Sequence, residues 1–258
     1  MHSKEEFQLG LTTEVFGRSL LVFETIDSTN TYAKTLAGKG AEEGTVVLAD
    51  SQTSGRGRFG RTWFAEPEDS LLFTIIIRPT FSTDKIGLLP FFAAAGIALA
   101  VETATGLKCE CKWPNDILVH EKKNCGILME SSFQNNRLEY AIIGIGLNVN
   151  QLNFSGNLQD RATSLRKECG IEFDRRKIFC QIMSSMESLY TDVSRGNFDT
   201  VLMEWKARAA IFGKQIRLAQ TANVIEGIAV ALADDGGLIV KTGSGRRVFH
   251  AGDVTMEQ

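Results

Sequence analysis

The sequence predicts an α+β protein in which a domain of β-strands and helices is followed by a small β-barrel. Three observations support this fold class. A continuous apolar run rich in β-branched residues, 71–78 (LLFTIIIR), is typical of a buried strand. An Ala-rich apolar stretch, residues 88–104, is too long for a strand and predicts a buried helix that Gly106 terminates. After Ile211 the chain changes to short strand-like segments separated by tight turns.

The first part of the chain predicts a strand, a helix and a second strand. Residues 20–26 (LLVFETI) form the first strand, and Ser28-Thr29-Asn30 supplies capping residues for the helix that follows. A single one of these side chains would satisfy the cap, so the other small polar groups are also candidates for binding a polar ligand. The second strand is predicted at residues 45–49.

After the predicted long helix, the sequence pattern indicates an antiparallel meander of β-strands. Two polar clusters fall within it, Lys112-Trp113-Pro114-Asn115-Asp116 and Lys122-Lys123-Asn124, and a hairpin would bring them together. Turn residues and hairpin charges are the commoner roles of such clusters. Gly144, Gly146 and Asn148 alternate along the last strand and share one face, where the missing side chains leave room against the backbone.

The last part of the chain predicts helices and then the barrel. Apolar residues at helical spacing indicate helices over 174–193 and 198–209, whose apolar stripes serve core packing. The tail carries turn signals at Asp234-Asp235-Gly236-Gly237 and Gly243-Ser244-Gly245. Short strands on either side of these turns predict a barrel of about five strands.

The bulk composition is that of an ordinary globular protein. The formal net charge is −3, with 23% charged and 43% hydrophobic residues, which does not favour a specialist in nucleic-acid or membrane binding. The first residues lack the features of a secretory signal, and no apolar run approaches the roughly 18 residues of a membrane-spanning helix. Five cysteines cannot all pair within one chain, so we expect reduced thiols and a cytoplasmic location.

The most unusual segment is the arginine loop, residues 51–63 (SQTSGRGRFGRTW). It contains three arginines and three glycines and ends on an aromatic residue. Glycines let backbone N–H groups approach a ligand closely, and guanidinium groups bind anions through paired donors. The loop is therefore a candidate anion-binding site. A solvated basic surface loop is the simpler alternative, and the loop alone does not decide between them.

Together these motifs resemble those of the biotin protein ligases, the biotin–[acetyl-CoA-carboxylase] ligase family. The matching segments follow the family's order and span most of the chain: Ser28-Thr29-Asn30, the sequence GRGRFGRTW, KWPND at 112–116, Lys123 followed by CGILME, GIGLNVN at 144–150, and AGDV in the tail. The resemblance implies a central mixed β-sheet flanked by helices over residues 1–209, similar to the catalytic core of class II aminoacyl-tRNA synthetases. It implies an SH3-like barrel over residues 210–258.

The activity implied by this resemblance has two steps. Biotin and ATP give biotinyl-5′-adenylate and pyrophosphate, and a lysine of a biotin carboxyl carrier domain then attacks the adenylate. The first step brings a carboxylate to a phosphate, and this approach of two anions requires fixed positive charge. Biotin, ATP and Mg²⁺ are the expected ligands. A carrier protein of the acetyl-CoA carboxylase type is the expected partner.

The resemblance also implies roles for individual residues. The catalytic residues are Lys123, Arg58, Asp116 and Arg56, and Asp116 also contributes to holding Mg²⁺ through the ATP phosphates. The biotin-binding residues are Ser28, Thr29, Asn30, Gln52, Arg56, Gly57, Arg58, Lys123 and Gly126. The residues for ATP and the adenylate are Gly55, Arg56, Arg58, Trp63, Lys112, Asn115 and Asn148, with Trp63 packing on adenine. We expect the arginine loop to be disordered without ligand and to close over the adenylate, keeping water from the anhydride.

The sequence departs from the family's pattern at two places. Members that also act as repressors carry a winged helix-turn-helix domain before the Ser-Thr-Asn segment, and only 27 residues precede Ser28 here. We therefore expect a ligase that binds neither DNA nor membrane. Relatives often carry a basic residue shortly after AGDV, whereas this chain has Glu257, which argues against a barrel contact with ATP.

Two other functions remain open from the sequence. A lipoate ligase or octanoyltransferase shares the core fold and also joins an acyl group to a lysine, although the GRGR and KWPND motifs favour biotin. A non-catalytic biotin or nucleotide sensor would keep the pocket, although Arg56, Arg58 and Lys123 together with Asp116 argue against it. Biotin-dependent release of pyrophosphate distinguishes the three functions. The edge strands of the sheet also leave a homodimer open.

Overall fold

The computed structural model describes residues 3–135, 137–220 and 223–256. It contains one β-sheet of seven strands and one of five, with helices packed mainly around the larger sheet. The α-helices, α1 to α6 in chain order, are Lys4–Gln8, Thr29–Gly38, Leu89–Thr105, Leu165–Cys169, Arg175–Val193 and Asp199–Arg208. Short 3₁₀ segments are Arg58–Gly60, Thr83–Leu88 and Gly156–Leu158. Glu257, singled out from the sequence, lies outside the described residues.

The larger sheet is mixed, as the sequence predicts. Its strands, β1 to β7, are Leu20–Ile26, Val46–Gln52, Ser70–Ile77, Glu110–Lys112, Asp116–Val119, Lys122–Gln134 and Arg137–Asn148. The spatial order is β1-β2-β3-β7-β6-β5-β4. β1 and β2 are parallel and connected through α2, whereas the other neighbouring strands are antiparallel. The predicted meander is therefore confirmed as β4 to β7.

The two faces of this sheet are covered differently. Side chains alternate along each strand, so Leu71 and Phe73 of β3 enter the large core formed with α3 and α5. Ile76 lies on the opposite face and packs against Ala33 of α2. α2 covers part of that second face, mainly over β2, β3 and β7. The remaining part of the second face carries the candidate functional site.

Helix α3 is apolar on nearly all sides because the sheet, α5 and α6 surround it. It has Pro90 in its first turn and ends at Gly106, which adopts a left-handed φ of 73°. Together with the preceding 3₁₀ segment it forms a stretch, Thr83–Thr105, that is long and apolar enough to span a membrane. The expectation that no segment approaches this length is therefore wrong. Because 72% of its apolar window is buried inside the protein, the stretch has the character of a core helix.

The smaller sheet confirms the predicted five-stranded tail. Its strands, β8 to β12, are Gln215–Ala219, Val224–Leu232, Leu238–Thr242, Gly245–Phe249 and Asp253–Met256, in the order β11-β10-β9-β8-β12. The β9–β10 turn packs against the larger domain, where Trp113 Nε1 donates to Gly236 O at 3.1 Å. This antiparallel sheet is consistent with an SH3-like domain. The division into residues 1–209 and 210–258 falls between α6 and β8 and stays a prediction.

Several predicted boundaries are wrong for identifiable reasons. Ser51 and Gln52 belong to β2 because they pair in parallel with β1, so the arginine loop itself begins at residue 53. Lys122 and Lys123 fall in a turn-like polar stretch of the sequence but begin β6, where Lys123 pairs with Leu118 beside a register shift. Helices α1 and α4 were not predicted, since five residues are too few to show a helical period.

Candidate functional site

The predicted site residues surround the uncovered part of the second face of the larger sheet. β2, β3, β6 and β7 provide the floor, the N-terminus of α2 forms one wall, and the arginine loop forms another. An open cavity of about 620 Å³ lies beneath the loop and is lined by residues 53–62 together with Leu128 and Glu130. This volume falls within the range of small-molecule sites.

The start of α2 forms the neutral polar end of the site. Ser28 is the N-cap residue, yet its side chain makes no capping hydrogen bond. Thr29 N and Oγ1 both donate to Gln52 Oε1, at 2.7 and 3.2 Å. Thr74 Oγ1 lies 2.9 Å from Thr29 Oγ1. Thr74 was not predicted as a site residue, although it is the only polar residue within LLFTIII. These short side chains provide hydroxyl and amide partners for a neutral polar ligand group.

Asn30 completes this end of the site as a buried framework residue. Its Nδ2 donates to Leu128 O at 3.3 Å and to Glu130 Oε2 at 3.0 Å, and its Oδ1 lies 2.7 Å from Thr74 Oγ1. Both amide hydrogens are therefore used within the protein. The side chain also fills the space above Gly144, where an added Cβ would lie 1.9 Å from Asn30 Oδ1.

The arginine loop folds back on itself as a narrow hairpin. Trp63 N donates to Gly55 O at 3.0 Å, and Gly57 N donates to Arg61 O at 2.7 Å. Only glycine fits at position 55, because an added Cβ would lie 2.4 Å from Trp63 O. The tip of the hairpin is the 3₁₀ segment Arg58–Gly60. The loop is thus an arch whose arginine side chains extend to different parts of the protein.

Two of the loop arginines form ion pairs on opposite sides of the loop. Arg56 Nη2 pairs with Glu130 Oε2 of β6, and Arg61 Nη2 pairs with Asp253 Oδ2 of β12. The first contact links the loop to the larger sheet and the second links it to the barrel. Neither carboxylate was predicted as a site residue. Both lie within matched segments, Glu130 at the end of CGILME and Asp253 in AGDV, so a signal for them was present.

Arg58 differs from Arg56 and Arg61 because its guanidinium group hydrogen-bonds to neutral acceptors and not to a carboxylate. Its Nη1 donates to Asn115 Oδ1 at 3.0 Å and to Gly252 O at 3.4 Å. Burial lowers the pKa of Arg58, and the charge of Asp116 opposes this effect. No carboxylate within the described part of the chain lies at ion-pair distance from its guanidinium. A partly desolvated cation of this kind is well suited to bind an anionic ligand.

Lys123 and Asp116 lie at the cationic end of the site. Lys123 Nζ is 2.7 Å from Asp116 Oδ1 and 5.3 Å from the centre of the Trp63 ring. This contact is an ion pair whose angles do not meet those of a hydrogen bond. Asp116 Oδ1 is buried and accepts no hydrogen bond from the described residues. Burial lowers the pKa of Lys112, and repulsion from Lys123 and Arg161 lowers it further. The negative charge of Asp116 acts in the opposite direction and raises it. Arg161 was not predicted from the sequence, and its backbone O accepts from Lys123 N at 2.8 Å.

Trp63 covers the glycines of the floor. An added Cβ would lie 2.7 Å from Trp63 Cζ3 at Gly126 and 2.4 Å from Trp63 Cε2 at Gly146. The room predicted along β7 is therefore occupied by protein side chains, by Trp63 here and by Asn30 above Gly144. The Trp63 Nε1–H is buried with no acceptor in the described ranges of the chain, which is energetically costly.

Asn148 and Asp116 were predicted to contact the nucleotide and a metal. Asn148 is buried at the end of β7 and donates through Nδ2 to Thr163 O at 3.0 Å, which connects the floor to the following loop. Residues 3–135, 137–220 and 223–256 contain no cluster of three or more His, Cys, Asp or Glu able to hold a metal ion. Mg²⁺ in nucleotide sites needs only one or two carboxylates besides the phosphates, so the buried Asp116 Oδ1 fits such a contribution.

The predicted residues thus form two neighbouring groups on one floor. The neutral group is Ser28, Thr29, Asn30 and Gln52. The charged group consists of Arg58, Lys112, Asp116 and Lys123, with the neutral residues Asn115, Trp63 and Gly126 beside them. Arg56 and Gly57 lie on the loop above the cavity. The role of each residue toward a ligand stays a prediction.

Two family models match the chain. Residues 22–148 match the biotin/lipoate A/B protein ligase family, and residues 211–256 match the biotin protein ligase C terminal domain. The chain is 35% identical to the bifunctional ligase/repressor BirA of Bacillus subtilis, over 98% of this chain and 79% of that protein. It is 33% identical to the biotin--[acetyl-CoA-carboxylase] ligase of Paracoccus denitrificans, over 88% of this chain and 96% of that protein.

Solved structures show the same similarity. The biotin protein ligase from Aquifex aeolicus in complex with biotin and ATP has a TM-score of 0.81 and 27% identity, and the match covers 93% of this chain and 99% of that one. The biotin protein ligase from Leishmania major in complex with biotinyl-5-AMP has a TM-score of 0.62 and 25% identity, with coverage of 93% and 99%. The similarity therefore includes both β-sheets.

Proposed function

The chain belongs to the biotin protein ligase family, and we propose that it activates biotin with ATP and transfers biotin to a lysine of a carboxyl carrier domain of the acetyl-CoA carboxylase type. One observation carries this proposal for the chain itself. A buried neutral polar group and a group of cations lie at the two ends of one floor, and the arginine loop approaches both, at Gln52 through Gly55 and at Lys123 through Trp63. Biotin has the matching asymmetry, with a neutral polar ring at one end and a carboxylate at the other.

In this proposal the ring of biotin binds at the start of α2. The hydroxyl of Ser28, which does not cap the helix, is available to the ureido group. Thr29 Oγ1 donates its hydrogen to Gln52 and lies 2.9 Å from Thr74 Oγ1, so it retains one lone pair to accept from a ureido N–H. Asn30 acts through the protein, because both of its amide hydrogens are already used. The aliphatic chain of biotin then extends through the cavity beneath the arginine loop toward Arg58 and Lys123.

The reaction takes place at the charged end. The carboxylate of biotin attacks the α-phosphate of ATP, and pyrophosphate leaves. Arg58 and Lys123 offset the repulsion between the two anions and stabilise the charge on the phosphorus-bound oxygens in the transition state. Asp116 keeps the ammonium group of Lys123 in position, 2.7 Å away. Lys112 adds positive charge for the phosphates.

The second step is a transfer from the adenylate to a lysine of the carrier domain. The lysine amine attacks the carbonyl carbon of the mixed anhydride, AMP leaves, and an amide bond forms. The arginine loop covers the cavity from 53 to 62 and limits the access of water to the anhydride. Trp63, which already lies against the floor, provides the aromatic surface for adenine.

The proposed reaction uses Mg²⁺ and takes place in the cytoplasm. Mg²⁺ bound to ATP would neutralise phosphate charge, and Asp116 is the carboxylate that would contribute to holding it. A cytoplasmic location is supported by the cysteines, all of which are free. A lipoate ligase is not favoured, because the C-terminal match and the named relatives are biotin ligases.

The test is the transfer of labelled biotin from ATP-activated biotin to a purified carrier domain. The unaltered chain should label the acceptor lysine, and Arg58→Ala and Lys123→Ala should each reduce labelling strongly. Undiminished transfer by both variants would overturn the site assignment. Absence of transfer by the unaltered chain would contradict the function.

A further inference from the structure

Glu130 connects the two walls of the site through a single carboxylate oxygen. Its Oε2 pairs with Arg56 Nη2 of the arginine loop and accepts from Asn30 Nδ2 of α2 at 3.0 Å. Asn30 and Arg56 are separated in sequence and lie on different elements, and Glu130 lies on β6 between them. The carboxylate also lines the cavity beneath the loop.

The geometry favours a fixed position for Glu130 and a movable one for Arg56. Glu130 belongs to a strand that pairs with β7, where its partner in the register is Ile142. Its side chain is 26% exposed, whereas that of Arg56 is 43% exposed and extends from a loop. The strand therefore sets the position of the carboxylate, and the carboxylate sets the position of the guanidinium.

We propose that Glu130 is a positioning residue that tethers the arginine loop to the sheet through Arg56 and fixes the amide of Asn30 at the neutral end of the pocket. Arg56 uses one of its donors for this contact and retains others that can face the cavity. Without Glu130, Asn30 Nδ2 keeps only the longer bond to Leu128 O, at 3.3 Å. Loss of the carboxylate thus loosens both walls of the site at once.

The inference deepens the proposed function and rests on it for the identity of the ligand. The tether consists of contacts within the protein, so it predicts an ordered loop before ligand binds, in place of the disorder expected from the sequence. Limited trypsin digestion without ligand tests it directly, because the loop offers cleavage sites after Arg56, Arg58 and Arg61. Glu130→Ala removes the carboxylate. Glu130→Gln keeps an oxygen that can accept from both donors but removes the charge, and it provides a second variant should the first fold poorly.

We expect cleavage within the loop to be about two- to fivefold faster in Glu130→Ala, the range for loss of a partly exposed ion pair when cleavage follows the open population. Glu130→Gln should lie between Glu130→Ala and the unaltered chain. The matched control is Glu139→Gln on the neighbouring strand β7, where Glu139 accepts from Ser132 Oγ at 3.3 Å. This control also loses one carboxylate from the sheet and should leave loop cleavage unchanged.

Steady-state kinetics with biotin test the second part of the proposal. Glu130→Ala should raise the KM for biotin by about three- to tenfold with a change in kcat of less than about twofold, the pattern for loss of a contact that acts equally on substrate and transition state. A merely structural defect would lower the active fraction, and hence kcat, without this change in KM.

Equal rates of loop cleavage in Glu130→Ala and the unaltered chain would overturn the tether. An unchanged KM for biotin in a variant with faster cleavage would overturn the coupling to the pocket. Should the unaltered chain release no pyrophosphate with biotin, the proposed function fails, and the digestion without ligand still decides whether Glu130 holds the loop.

Discussion

Lys123 Nζ lies 2.7 Å from Asp116 Oδ1, and the two residues belong to neighbouring strands, β6 and β5. The contact joins two motifs that are separate in the sequence, KWPND and the segment beginning at Lys123. Because both strands are part of the paired sheet, the ammonium group is positioned by the fold before any ligand binds. Such preorganised charge is what stabilisation of a transition state requires.

The first prediction concerns this ammonium group. Lys123→Ala should lower the rate of adenylate formation by about 10²- to 10³-fold, the usual effect of removing one donor from a charge-stabilising site. Single-turnover release of pyrophosphate measures this rate. The matched control is Lys122→Ala, which removes the adjacent lysine on the same strand and should retain nearly full activity. Equal activity of the two variants would exclude a role for Lys123 in the chemistry.

The second prediction concerns the glycine floor. Gly146→Ala places a Cβ 2.4 Å from Trp63 Cε2 and forces the indole away from the sheet. Overpacking of this kind costs about 1–3 kcal/mol, so the KM for ATP should rise by roughly five- to hundredfold. Gly38→Ala is the control, because an added Cβ there has no heavy atom within 4 Å. An unchanged KM for ATP in Gly146→Ala would contradict the placement of Trp63 beside the nucleotide.

The sequence predicts the site well where motifs begin or end strands. Asp116 begins β5 and Gln52 ends β2, and the predicted hairpin places the neighbourhoods of Asp116 and Lys123 side by side. The positions of the glycines likewise follow from the alternation of side chains along a strand.

Other features of the site depend on tertiary folding and could not be predicted. The meeting of Arg56 with Glu130 depends on how the arginine loop folds back, which no local pattern specifies. Thr74 lies in an apolar run where threonine is an ordinary strand residue. The register shift beside Leu118 places Lys123 opposite Leu118, and irregularities of this kind leave no periodic signal.

The third prediction concerns the buried ion pair near the start of the loop. Arg175 Nη1 lies 2.8 Å from Asp50 Oδ1 and donates to Ser70 O at 3.0 Å, and both charged side chains are almost fully buried. Arg175→Met leaves the carboxylate of Asp50 buried without its partner. The free energy of unfolding, measured by urea denaturation, should fall by about 3–5 kcal/mol.

Arg176→Met is the matched control for this ion pair. Arg176 is the next residue on α5, and its contacts with Asp174 and Glu6 are partly exposed to solvent. Loss of such solvent-exposed pairs should leave the free energy of unfolding nearly unchanged. The double variant Asp50→Asn/Arg175→Met should recover part of the stability lost in Arg175→Met. Equal decreases in the free energy of unfolding for Arg175→Met and Arg176→Met would show that burial of the Arg175–Asp50 pair does not increase its effect on stability.

The fourth prediction concerns the thiols. Burial raises the pKa of Cys109 and of Cys111 to about 12 and also raises that of Cys125. At pH 8 a thiol reagent should therefore leave these three unmodified in the native protein and react slowly at the half-buried Cys169 and Cys180. All five should react in urea. Rapid reaction of more than two thiols in the native protein would contradict the packing around β4 and β6.

The raised pKa values of these thiols predict how the stability of the protein changes with pH. Their pKa in the folded protein lies above the value of about 8.5 expected for an unfolded chain. The unfolded chain therefore loses these protons first as the pH rises, and the contribution of the buried thiols to stability is complete only below about pH 8.5. Urea denaturation between pH 7 and 10 should show stability falling above this value, and replacing Cys109 with serine should reduce the slope.

In the proposed reaction the arginine loop and Lys123 act together on biotin and ATP. The decisive measurement is release of pyrophosphate from ATP by the unaltered chain with biotin, with lipoate and with neither acid. We expect release with biotin but not with lipoate or without an acid, and its loss in Lys123→Ala but not in Lys122→Ala. Release that depends on lipoate, or no release with either acid, would show that the site does not activate biotin.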